Sequence, residues 1–134
     1  MATWQYDITM IPSRSIDLET FKKEVSCIVP PTSSWSDSIL IWGEIDGDRI
    51  DMFVDAETHE ISVRFDMRQP NADFFRNILS LAVKYGCEIR NDKDEVLMTT
   101  SDEVASDMMD SDAFRFVANP HEFISGVKTE KGRE

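Results

Sequence analysis

Asp46-Gly47 stands between two apolar-rich runs, 38–45 and 49–54, and a third run follows at 60–67. Asp-Gly in that setting signals a tight hairpin, because a type I′ turn needs positive φ at both central residues. In the third run Ile61, Val63, Phe65 and Met67 alternate with Ser62, Arg64, Asp66 and Arg68. A period of two puts the first set on one face of a strand and the second set on the other. The connection 55–59 suits a wider hairpin. Three strands in series make an antiparallel meander, and the other segments must pack around it.

Upstream, Trp4, Tyr6, Ile8 and Met10 alternate with Thr3, Gln5, Asp7 and Thr9, which predicts another half-buried strand, ended by Pro12. Ser15 or Asp17 can cap a short helix carrying Leu18, Phe21 and Val25 at helical spacing. Pro30 and Pro31 stop it, and 32–36 reads as a loop. Downstream, Asn71 can cap a longer helix with Asp73 near its positive end. Phe74, Phe75, Ile78, Leu79, Ala82 and Tyr85 form its apolar stripe, and Gly86 sits where a helix of this length terminates. Segments 87–90 and 95–98 form a small hairpin around 91–94. Thr100 and Glu103 have capping-box spacing for a helix to about Met109. Shorter helical pieces follow, one after Ser111 with Phe114 and Val117, another from Pro120 with Phe123 and Ile124. The expected fold is α+β, an antiparallel sheet with helices mainly on one face. It occupies 1–127 as one domain, and the charged segment 128–134 is a mobile tail.

The 134 residues are enough to bury about two thirds of the unfolded surface in one core. A hydrophobic content of 41% separates the chain from disordered polymers in spite of a net charge of −12. That charge argues against nucleic acid as a direct partner, since phosphates need Lys and Arg, and against anionic membrane surfaces. It favours a basic protein partner. With no leader-like opening and no long apolar run, the expected location is the cytoplasm. Cys27 and Cys87 then read as thiols, with a bridge between them left open.

More than half of the net charge comes from 92–112, which carries eight acidic side chains and Lys93 as its one base. A solvated helical face accounts for such a run, and a display surface for a basic partner is the functional alternative. Asp102, Glu103, Asp107, Asp110 and Asp112 are the candidate contact residues, with Trp35 and Phe53 as possible apolar anchors. Trp35 lies in a polar loop, where an indole either folds back as a lid or meets a partner. Trp4 alternates with core residues and is expected to pack, while Trp42 belongs to a strand whose register decides its face.

Little points to catalysis. His59 and His121 lack the spacing of a metal motif and read as surface histidines. Asp46, Asp48 and Asp51 resemble part of a calcium loop, but the glycine is misplaced and no twelfth-position Glu follows. No nucleophile elbow, Cys-His signature or phosphate loop is present. The acidic helix spacing defines no cation cage, so no metal or cofactor is expected. Arg49, Asp51, Phe53, Ser62, Arg64, Asp66 and Arg68 should share the polar face of the meander, as ion pairs or as a recognition surface.

The residues therefore favour a non-catalytic acidic binding protein, with an immunity-type inhibitor of a cationic toxin or nuclease as one concrete form. The competing expectation is an enzyme or small-ligand site between sheet and C-terminal helices, built on His59, Arg64, Asp66 and Arg68. A homo-oligomer pairing through a sheet edge is a third possibility.

Overall fold

A computed structural model of the chain describes residues 4–32, 38–44, 47–53, 59–69, 71–99 and 101–111. Trp35, Asp46, Thr100, Asp112, His121, the helical pieces expected after Ser111 and the tail 128–134 lie outside the described residues.

Among the described residues, seven strands form one antiparallel sheet, accompanied by three helices. In chain order these are β1 (Gln5–Ile11), α1 (Leu18–Ser26), β2 (Pro31–Thr32), β3 (Ile39–Gly43), β4 (Arg49–Phe53), β5 (Ile61–Asp66), α2 (Ala72–Lys84), β6 (Glu88–Asn91), β7 (Val96–Leu97) and α3 (Ser101–Met109). The spatial order is β2-β3-β4-β5-β1-β6-β7. The meander expected from the sequence is β3-β4-β5. The first strand is inserted centrally, with Ile8 opposite Val63 on one side and Asn91 on the other.

Period-two alternation decides which face meets the helices. Tyr6, Ile8, Met10, Ile50, Met52, Ile61, Val63, Phe65 and Ile89 are buried together with Phe21, Val25, Phe74, Ile78, Ala82 and Val104 from the helices. Each helix touches this face through an identified contact. The Phe21 ring meets Trp42 edge-on at 6.0 Å, the Phe74 ring meets Phe65 at 5.4 Å, and Asp107 accepts a hydrogen bond from Tyr6. Burying one such large side chain is worth about 1.5–3 kcal/mol, so these apolar faces dominate stability.

The helix starts follow from capping. Asp17 accepts from the Thr20 amide at 3.2 Å, and Asn71 accepts from the Phe74 amide at 3.0 Å. Each satisfies an amide that the helix itself leaves without a partner. Gly86, at φ +61, ends α2.

Two local expectations change. Thr32, expected in a loop, instead pairs with Ile41, as Pro31 does with Trp42. The hairpin between β3 and β4 is not a two-residue turn on Asp46-Gly47. That turn would set Ile45 opposite Asp48, whereas Gly43 faces Arg49 and the Glu44 amide bonds to the Asp48 carbonyl at 3.0 Å. Among the described residues of this connection, positive φ falls on Gly43, at +95, and not on Gly47. A Cβ on Gly43 would lie 2.2 Å from the Asp48 carbonyl oxygen, so close backbone approach sets the register here.

Candidate binding surface

The β6–β7 hairpin carries the first part of the acidic run. The Asn91 amide bonds to the Glu95 carbonyl at 3.0 Å and the Asp94 amide to the Asn91 carbonyl at 3.0 Å. Asp94 has φ +63, the one non-glycine residue with positive φ among the described residues. A tight turn closed by a left-handed residue is a common three-residue hairpin connection, and Asp tolerates that conformation better than most side chains.

Asn91 is the hub of this region. It is buried, and its carboxamide has a partner at every site used. Oδ1 accepts from the Lys93 amide at 3.0 Å and from the Glu95 amide at 2.9 Å. Nδ2 donates to Glu95 Oε1 at 2.8 Å and to Asp107 Oδ1 at 3.1 Å. The other Asp107 oxygen accepts from the Tyr6 hydroxyl. Burial raises the Tyr6 pKa above its ordinary value, and the hydrogen bond to Asp107, the Asp107 charge and the Asp92 charge act in the same direction. The phenol stays protonated and donates.

This network ties α3 to the sheet. Thr99 Oγ1 donates to the Cys87 carbonyl at 3.2 Å, just before β6, and Asp107 reaches Asn91 at the end of β6. The helix therefore runs alongside that strand, with Val104 fully buried between the two anchor points. Asp102, Glu103 and Asp110 are exposed, as are Asp92, Asp94 and Glu95. Asp107 differs from its neighbours. Both its oxygens are engaged inside the fold, which makes it a fastener of α3. Asp94 is partnered by Arg90 at 3.1 Å, a surface pair of small energetic weight.

The polar sheet face is arranged differently. Arg49 Nε and Nη2 donate to Asp51 at 2.8 and 3.0 Å, Arg64 Nε donates to Asp7 at 3.0 Å, and Arg68 Nε and Nη2 donate to Asp66 at 3.0 and 2.9 Å. Asp48 Oδ1 accepts from the Asp66 amide at 2.9 Å, which gives Asp48 and Asp51 structural duties in place of a cation loop. The Arg68 hydrogen bonds hold the Asp66 carboxyl below the usual range, while burial pushes Asp48 up. Asp7, Thr9, Arg49, Asp51, Ser62 and Arg64 line a shallow depression of about 280 Å³. Its two arginines and two aspartates balance in charge. Of His59, Arg64, Asp66 and Arg68, Arg64 lines the depression, Asp66 and Arg68 pair with each other, and His59 precedes β5. Arg68 also stacks over the Trp4 ring at 4.3 Å. Phe53 is 52% exposed at the end of β4.

Sequence reasoning missed Asn91, Tyr6 and Glu95 as the supports of the acidic region. Tyr6 was visible as a core residue of an alternating strand, but its hydroxyl partner lies 101 residues away. Asn91 sat in a turn-forming cluster, the one local hint that its side chain would organise backbone amides.

Cys27 and Cys87 are both free thiols, Cys27 exposed and Cys87 buried. Among the described residues no group of three or more His, Cys, Asp and Glu side chains could hold a metal ion. No helix among them is long and apolar enough to cross a membrane. Comparison of the chain with protein-family models, with curated proteins and with solved structures found no match.

Proposed function

We propose that this chain is a non-catalytic acidic binding protein that docks on a basic partner protein. An immunity-type inhibitor of a cationic toxin or nuclease, acting in the cytoplasm, is the concrete form we favour. One observation supports this reading above the others. The exposed Asp92, Asp94, Glu95, Asp102, Glu103 and Asp110 belong to a hairpin and a helix that Asn91, Asp107 and Tyr6 fasten together. Charges held on a rigid frame lose little freedom on binding and can speed encounter with an oppositely charged partner. Asp112 and Trp35 remain proposed contributors to the same contact.

The test is charge reversal. In the combined variant Asp102→Lys, Glu103→Lys, Asp110→Lys, affinity for a lysine-rich octapeptide at low salt should fall at least tenfold, with a shallower salt dependence. Unchanged affinity would remove the reading.

A small-ligand site is the second reading, and it draws on the depression at Asp7, Arg49, Asp51 and Arg64. A ligand there has to compete with ion pairs already formed, which places it behind the acidic surface.

A further inference from the structure

We infer that the β7 edge of the sheet accepts an extended basic polypeptide as an additional strand. The inference rests on the acidic-surface reading and specifies how a partner's backbone would engage it.

Among the described residues the sheet ends at β2 on one side and β7 on the other, and these two edges are built differently. β2 starts at Pro31, preceded by Pro30, and proline has no amide hydrogen to offer a neighbour. β7 carries no proline and no lysine. Its phase relative to β6 follows from the ladder. Asn91 donates to the Glu95 carbonyl, and Ile89 faces Leu97. In antiparallel pairing hydrogen-bonded and non-bonded pairs alternate, so Glu95 and Leu97 point their backbone groups at β6. The N–H and C=O of Val96 then point away from it. Met98 lies just past the strand, where the bond from Thr99 Oγ1 to the Cys87 carbonyl keeps the chain close to β6.

The side chains at these two positions are 59% and 66% exposed, an unusual state for Val and Met on a sheet edge. Outward backbone groups supply affinity to an added strand, and alternate side chains supply its specificity. Val96 and Met98 offer apolar contact to every second residue of such a strand.

Charge selects the occupant. Asp92, Asp94 and Glu95 precede the edge, while Asp102 and Glu103 follow it. A strand that alternates small apolar residues with Lys or Arg satisfies both features. A second copy of this chain does not, because each copy carries −12 and β7-to-β7 pairing would bring two acidic hairpins together.

Two probes separate strand addition from simple charge attraction. One is an alternating Lys-Val octapeptide. The other has the same sequence with alternate backbone amides N-methylated, which keeps the charge and abolishes pairing along one edge. The unmodified peptide should bind at least tenfold more tightly and slow hydrogen exchange at the Val96 amide. Val96→Pro removes an outward amide without touching the ladder to β6, and should weaken binding at least tenfold. Equal binding of the two peptides, to wild type and to Val96→Pro alike, overturns strand addition and leaves the acidic reading intact. Binding of neither peptide also overturns strand addition. A Val96→Pro-sensitive dimer at high protein concentration overturns it in favour of self-pairing.

Discussion

Asn91 Nδ2 donates to Asp107 Oδ1 at 3.1 Å, across a sequence separation of 16 residues. Through that bond a hairpin turn and a helix, each marginal alone, become one surface. With its other bonds, Asn91 orders the turn amides of Lys93 and Glu95. Asn91→Ala removes all four interactions and should destabilise the fold by roughly 2–4 kcal/mol in denaturant titration. Asn91→Asp keeps the acceptor but sets a third carboxylate against Asp107 and Glu95. The folded-state pKa of the new group is then raised, so its defect is small below the unfolded carboxylate range and grows as pH rises through the raised value. The variant should lie closer to wild type at acid pH than at neutrality, which urea melts at the two pH values will check.

Tyr6 predicts an alkaline limit. Its folded pKa lies above the ordinary 10.0 because burial and Asp107 both oppose the phenolate. A raised group contributes stability that is complete below the unfolded pKa and is lost as pH rises toward the folded value. Burial pushes the Cys87 thiol up to about 11, with the same sign. Wild type should therefore weaken from about pH 9 upward as unfolded thiol and phenol ionise. Tyr6→Phe should cost about 1 kcal/mol at neutral pH and show a shallower alkaline decline, measured by thermal melts across that range.

Asp94 sits at φ +63, so its backbone is the cause of its cost. Asp94→Gly and Asp94→Ala both lose the Arg90 pair, and their difference isolates the left-handed conformation. The glycine variant should be more stable than the alanine variant by about 1–2 kcal/mol in chemical denaturation. Equal stabilities would show that the turn has another geometry in solution.

Much of this fold was legible in local patterns. Ile61, Val63, Phe65 and Met67 are buried as their alternation requires, and Asp17 and Asn71 cap the helices that their positions suggested. The β3–β4 register was not legible, because Gly43 competes with Asp46-Gly47 and only the close approach of Asp48 decides between them. The insertion of β1 between β5 and β6 is a long-range choice with no local marker. In the acidic region the charge density was plain, but the inward turn of Asp107 was not. Helical periodicity placed it among exposed neighbours, and its partners come from β1 and β6.

The most direct test of an acidic binding surface is a two-dimensional amide NMR titration with the lysine-rich octapeptide, at low and at physiological salt. The account predicts shifts concentrated in 92–98 and 102–110, reduced by salt and by the combined Asp102, Glu103 and Asp110 reversal. Shifts spread evenly over the chain, or centred on Asp7, Asp51 and Asp66 and unaffected by that reversal, would contradict it.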